Sequence, residues 1–181
     1  TNNKFLASRV LLLKSHGIKR KKNKHWEYNI KEFGFNYRLS DINCALGLRQ
    51  LSKIKKFINY RHQIYKNYQK FLSKNNQIIL PAYNNKNEPA FHLFLISLKN
   101  NKKLIKEKLF NFLKTNKILA QYHYIPIYRF TFFEKKINYN QFPNSEHYFK
   151  NSLSLPIFYN LNLKNKIYIF KKINLFFKSF K

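Results

Sequence analysis

Gly34-Phe35-Asn36-Tyr37-Arg38-Leu39-Ser40-Asp41-Ile42-Asn43-Cys44-Ala45-Leu46-Gly47-Leu48, or GFNYRLSDINCALGL, stands apart from a chain built mainly of Lys, Asn, Ile, Phe and Tyr. Two of the chain's three glycines flank an Asn-x-Arg pair, Asn36 and Arg38, and a helix start. Ser40 or Asp41 supplies the N-cap, because a short polar side chain accepts hydrogen bonds from the free N–H groups of a first helical turn. Apolar residues then recur at Ala45, Leu48, Leu51, Ile54 and Phe57, and again at Ile64, Tyr68 and Phe71. Steps of three, four and seven predict one long helix, or two nearly collinear ones, ending before Pro81.

Upstream, residues 4–14 (KFLASRVLLLK) have helical apolar spacing that stops at Gly17, a typical helix-end residue. Ser15 to Tyr37 is polar, dotted with aromatics and aperiodic, and reads as a long loop. Downstream of Pro81 and a turn-rich stretch, residues 90–98 (AFHLFLISL) predict a strand, 102–114 a helix and 117–124 a second strand. That order argues for a small α/β layer. Asn162 is placed to cap a last helix over 163–179. The sequence contains no internal repeat.

Composition offers a tempting reading. A net charge of +29 on 181 residues with 18% aromatics suits a nucleic-acid surface that neutralises phosphate and stacks bases. The cations are overwhelmingly lysines spread along the chain, however, and only Arg9, Arg20, Arg38, Arg49, Arg61 and Arg129 carry the planar fork that reads phosphates and guanines. A codon bias raising Lys, Asn, Ile, Phe and Tyr together accounts for the charge, so no dedicated nucleic-acid partner is expected; Lys19 to Lys24 (KRKKNK) is the exception to watch. A single cysteine, Cys44, gives neither a disulfide nor a cysteine zinc site, fits an intracellular setting, and is expected to be a small core residue. No apolar run approaches the ~20 residues that span a bilayer. A chain without methionine that opens Thr1-Asn2-Asn3 is expected to be a piece of something longer.

GFNYRLSDINCALGLRQL, preceded by SHGI at Ser15 to Ile18 and WEY at Trp26 to Tyr28, resembles the DegT/StrS-type pyridoxal-phosphate sugar aminotransferases. The resemblance continues through Arg61 and Tyr68, HYIPIYR at His123 to Arg129, and LSLPIF at Leu153 to Phe158, in order and over nearly the whole chain. It implies an α/β fold, the C-terminal part of a fold-type I PLP-dependent transferase. Residues 1–52 would end the large PLP-binding domain and carry the Asn-x-Arg loop, 53–80 would form a long linking helix, and 81–181 a small C-terminal α/β domain. Implied with it is transfer of an amino group from glutamate to C4 of a UDP-linked 4-keto-6-deoxy-N-acetylhexosamine, in cytoplasmic nucleotide-sugar biosynthesis of the pseudaminic acid type.

The cofactor of that family is pyridoxal 5'-phosphate, held by a lysine in a Ser-x-His-x-x-Lys segment that would lie upstream of Thr1. His16-Gly17-Ile18-Lys19 is a decoy for that segment, its serine one position too close to the histidine; Lys19 is expected to be a solvated loop lysine. Among the residues present, the resemblance assigns Asn36 to the cofactor phosphate in the neighbouring subunit, which makes a homodimer necessary. An amide N–H₂ suits a phosphate oxygen without adding charge. Arg38 would grip phosphate or diphosphate through its fork, with Tyr37 beside it on the substrate. Taken alone, the same residues fit a tight loop with Arg38 paired to Asp41. His123 and Tyr124 would project from a strand end toward the nucleotide-sugar, and Trp26 and Tyr28 could stack on a ring or cover a core edge. By itself the chain is expected not to catalyse the reaction. A basic nucleic-acid-binding module and an inactive aminotransferase remnant stand as the rival readings.

Overall fold

The computed structural model describes residues 1–82, 87, 89–100, 104–133 and 137–179, with backbone only at 24 and 25. Contacts divide the chain into two compact units, Thr1–Lys53 and Ile54–Lys181.

The first unit opens with α1 (Lys4–Leu13), whose N-cap Asn3 accepts from the Phe5 and Leu6 amides at 2.9 and 3.1 Å. A β-hairpin follows, made of β1 (Ile18–Lys21) and β2 (Lys24–Ile30), antiparallel with Ile18 opposite Ile30 and Arg20 opposite Tyr28. The expected long loop from Ser15 to Tyr37 is therefore largely a hairpin. Its two strands have no core behind them: Trp26, Tyr28 and Ile30 alternate along β2, yet all three are exposed, so backbone pairing rather than burial holds the hairpin. The unit ends in α2 (Asp41–Leu51), capped by Ser40, whose Oγ accepts from the Asn43 amide at 3.3 Å. No residue of α1 or α2 is buried in this chain. Cys44 is exposed rather than a core residue, because nothing in the unit packs on α2.

The second unit begins with α3 (Ile54–Leu72). Of the two expected alternatives, one long helix or two, the chain forms two: Ser52 caps α2, its Oγ bonding the Arg49 carbonyl at 2.8 Å, and Lys53 precedes α3. Beyond α3 come β3 (Ile78–Ile79), β4 (Phe94–Leu98), α4 (Ile105–Thr115), α5 (Pro143–Asn151), β5 (Ser152–Leu155) and α6 (Leu163–Lys178). The three strands form an antiparallel sheet in the order β3-β4-β5, with Phe94 opposite Leu155 and Ile96 opposite Leu153. Only Phe94–Leu98 of the expected strand over 90–98 joins this sheet. The expected strand over 117–124 does not form; its one ladder contact is a bridge from Gln121 to Ser154, and the rest runs as irregular chain toward Pro126. Of the expected helix over 102–114, positions 102 and 103 lie outside the described residues. The final helix starts as expected, with Asn162 Oδ1 accepting from the Asn165 amide at 2.8 Å.

The core gathers Ile64, Tyr68 and Leu72 of α3, Phe94 and Ile96 of β4, and Ile173 of α6 with their neighbours. Spacings of four along α3 put its buried side chains on one stripe. Tyr68 illustrates how an aromatic core meets its polar obligations: its ring tilts against Phe94 at 4.6 Å while its hydroxyl donates to the Pro156 carbonyl at 2.7 Å. Arg61 Nη1 reaches the carbonyls of Phe91, His92 and Ile157 at 3.0–3.2 Å. Arg61 and Tyr68 thereby join α3 to segments far along the chain. Among the described residues no helix is long and apolar enough to cross a membrane.

Candidate functional site

The loop carrying Asn36 is clamped to the end of α1 by its backbone. The Phe35 amide donates to Leu13 O at 2.7 Å, Tyr37 N to Lys14 O at 2.9 Å, and His16 N returns a bond to Phe35 O at 2.9 Å. Two glycines permit this approach. Gly17 has φ +68°, and a Cβ there would lie 1.7 Å from the Glu32 carbonyl oxygen; a Cβ on Gly34 would come within 2.3 Å of the Gly17 nitrogen. Gly34 and the SHGI stretch are the two sides of one close backbone contact, while Gly47, the other glycine flanking the Asn-x-Arg pair, meets nothing within 4 Å.

On this clamp Asn36, Tyr37 and Arg38 are all exposed. Phe35 and Tyr37 stack at 4.9 Å. Arg38 Nε donates to Asn36 Oδ1 at 3.1 Å, and no ion pair joins Arg38 to Asp41. With its carbonyl so engaged, Asn36 retains Nδ2 as a donor, and Arg38 retains its terminal nitrogens. Among the described residues these remaining donors meet no acceptor, and they suit the oxygens of a phosphate group. Nearby, the hairpin forms an open cleft of about 800 Å³ lined by Lys19, Arg20, Lys21, Trp26, Tyr28 and Lys31. Arg20 lies 5.4 Å from the Tyr28 ring centroid, and Lys21 pairs with Glu27. Lys19, expected in a loop, sits on β1.

In the second unit, the segment leading to Pro126 is fixed from two sides. His123 Nδ1 lies 2.6 Å from Ser154 Oγ, and Ser154 Oγ donates to Gln121 O at 3.0 Å. Tyr148 of α5 donates its hydroxyl to His123 O at 3.0 Å, and burial pushes that phenol's pKa up. Tyr124 stands 69% exposed over a shallow cavity of about 490 Å³ that Pro126, Asn144 and Tyr148 also line. Below it, Arg129 Nε donates to Glu146 Oε1 at 2.8 Å while Nη2 pairs with Oε2, and Tyr128 OH adds a bond at 3.2 Å. Hydrogen bonding from Arg129, opposed by burial and assisted by Tyr128, brings the Glu146 carboxyl down to about 2.

The comparisons with known proteins bear on this arrangement. The family model for DegT/DnrJ/EryC1/StrS aminotransferases matches residues 1–174. The chain belongs to that family. It is 36% identical over 169 residues to the UDP-4-amino-4,6-dideoxy-N-acetyl-β-L-altrosamine transaminase of Campylobacter jejuni, covering 93% of this chain and 44% of the relative. The Helicobacter pylori transaminase of the same name is 31% identical, over 100% of this chain and 48% of its own. A solved Helicobacter pylori aminotransferase involved in pseudaminic acid biosynthesis superposes with a TM-score of 0.86 at 30% identity, again over 48% of its length. A putative sugar aminotransferase of Streptococcus pneumoniae, in its PMP form, shares the fold at 0.87 and 19% identity. The chain thus spans just under half the length of the relatives it matches, and its α/β character is that of sugar aminotransferases.

The candidate residues of this DegT-family chain fall in two groups. Asn36, Tyr37 and Arg38 share one loop of the first unit, and His123 and Tyr124 share one segment of the second. Ser154, Tyr148, Glu146 and Arg129 were missed as site-building residues. One signal was available: with 36 cations and seven acids in the chain, a glutamate just behind Pro143 had to have a reason to be there.

Proposed function

We propose that this chain is part of a pyridoxal-5'-phosphate-dependent aminotransferase that moves an amino group from glutamate to C4 of a UDP-linked 4-keto-6-deoxy-N-acetylhexosamine, in the cytoplasm, toward a pseudaminic-acid-type nucleotide-sugar. The observation that carries this reading is 36% identity over 93% of the chain to a UDP-4-amino-4,6-dideoxy-N-acetyl-β-L-altrosamine transaminase. The donor set of the Asn-x-Arg loop supports it, since donors with no internal acceptor fit a phosphate.

In this reading Asn36 Nδ2 donates to the cofactor phosphate of the neighbouring subunit in a homodimer. Arg38 and Tyr37 meet the substrate, Arg38 held in line by its own bond to Asn36. His123 and Tyr124 contact the nucleotide-sugar. The cofactor, when bound, would supply the electron sink for proton transfer at carbon; no lysine of this chain is assigned to hold it. What the present residues contribute is binding and orientation. The test is to express the coding sequence with its in-frame upstream extension and assay the product with glutamate and the UDP-4-keto sugar. Glutamate-dependent formation of the 4-amino sugar supports the proposal. An upstream sequence lacking a Ser-x-His-x-x-Lys segment, or a full-length protein that leaves the keto sugar unchanged, overturns it.

A further inference from the structure

Ser154 on β5 is 3% exposed and has one hydroxyl proton to place. Its Oγ lies 3.0 Å from the Gln121 carbonyl oxygen and 2.6 Å from His123 Nδ1. The Gln121 carbonyl already accepts from the Ser154 amide at 2.9 Å, so it has a partner either way; but were the hydroxyl proton given to His123, the two oxygens would face each other at 3.0 Å with no hydrogen between them. Every atom is satisfied when Ser154 donates to Gln121 and His123 Nδ1–H donates to Ser154 Oγ. A neutral ring then has no proton on Nε2. That nitrogen meets no partner among the described residues and is not enclosed. The Tyr148 bond to His123 O fixes the backbone behind the ring.

We infer that His123 is a hydrogen-bond acceptor of fixed polarity, its Nε2 lone pair presented to a donor on the substrate, and that Ser154 is the positioning residue that sets this polarity. The ligand half of the inference rests on the nucleotide-sugar reading; the tautomer does not. A bare Nε2 is an acceptor, and diphosphate oxygens, being acceptors themselves, do not match it. Its partner is an N–H or O–H: the N3–H of the uracil ring, or a hydroxyl of ribose or hexose.

Two experiments test it. In the ¹⁵N-labelled full-length gene product, long-range imidazole correlation spectra recorded at alkaline pH give His123 Nδ1 as the protonated nitrogen and Nε2 as the bare one; Ser154→Ala abolishes that preference. The reverse assignment in the unmutated chain overturns the inference. In the full-length gene product, binding of UDP-N-acetylglucosamine and of its N3-methyluridine analogue is measured by calorimetry for wild type and His123→Asn, whose amide keeps a donor toward Ser154 while removing Nε2. The variant loses about tenfold in affinity for the parent ligand, the worth of one good hydrogen bond. If N3-methylation costs the wild type the same factor and the variant nothing, uracil is the donor; if methylation costs neither, a hydroxyl is. Equal binding by wild type and variant refutes the acceptor role. Failure of the wild type to bind either compound sinks the nucleotide-sugar reading and the ligand half together, while the spectra still decide the tautomer.

Discussion

Replacing Glu146 with glutamine changes one atom and reverses one interaction. The carboxylate takes Arg129 in a two-point pair, with Lys150 Nζ 3.6 Å away and Tyr128 bonded to Oε1. In Glu146→Gln the oxygen facing Arg129 Nη2 becomes an N–H₂, so two donors oppose each other and the cation loses its counter-charge. A carboxyl brought from an ordinary 4.5 to about 2 corresponds by linkage to about 3 kcal/mol. Arg129 is 28% exposed, and screening reduces the expected loss to about 2 kcal/mol. The sign with pH follows from the depressed value: the contribution is full above 4.5 and disappears as pH falls through about 2. Urea unfolding of both proteins at pH 7 and pH 3 measures it. The stability difference should be about 2 kcal/mol at pH 7 and less than half that at pH 3. Since the other carboxylates titrate alike in both proteins, a difference that is the same at both pH values would refute the assignment of the stabilisation to an ionised Glu146.

Gly34→Ala puts a methyl group against the backbone at Gly17, His16 and Leu13, so the clamp must open. Hydrogen exchange at the Phe35 and Tyr37 amides is expected to accelerate by at least about tenfold, while the Ile64 and Tyr68 amides keep their protection; unchanged exchange at Phe35 would count against the glycine contact. Tyr68→Phe leaves the Pro156 carbonyl without its buried donor and should cost about 1–2 kcal/mol in urea unfolding, with the folded-state spectrum retained. A loss below about 0.3 kcal/mol would show that water replaces the hydroxyl.

Helices were legible where a cap and an apolar stripe agreed. Asn162 with Ile169, Phe170 and Ile173 announces α6, and the stripe on α3 announces its buried face. Two helices were one of the alternatives read there, but the position of the break at Ser52–Lys53 was not legible, because Leu51 and Ile54 continue the helical spacing across it. The hairpin escaped although Trp26, Tyr28 and Ile30 alternate along β2, because β1 is only the four residues IKRK and offers no matching apolar strand to pair with it. Asn36 and Arg38 could be picked out by their place between two glycines. Their mutual bond could not, since Asp41, three positions on, offered Arg38 an opposite charge. His123 was visible as a candidate through its motif, yet its polarity depends on Ser154, 31 positions away, and only a ladder contact brings the two together.

The Arg61 clamp has a consequence for synthesis. Two of its three carbonyls, on Phe91 and His92, follow within about thirty residues, while the third, on Ile157, is separated from it by 96 positions. The Tyr68 hydroxyl likewise waits for Pro156. A ribosome that has made α3, β4 and α4 therefore holds a nascent chain whose sheet lacks an edge strand and whose central helix is still missing partners. The second unit closes late, when the residues after β5 have cleared the exit tunnel. Stalling before that point would leave Phe94 and Ile96 unroofed and open to the chaperones that wait there.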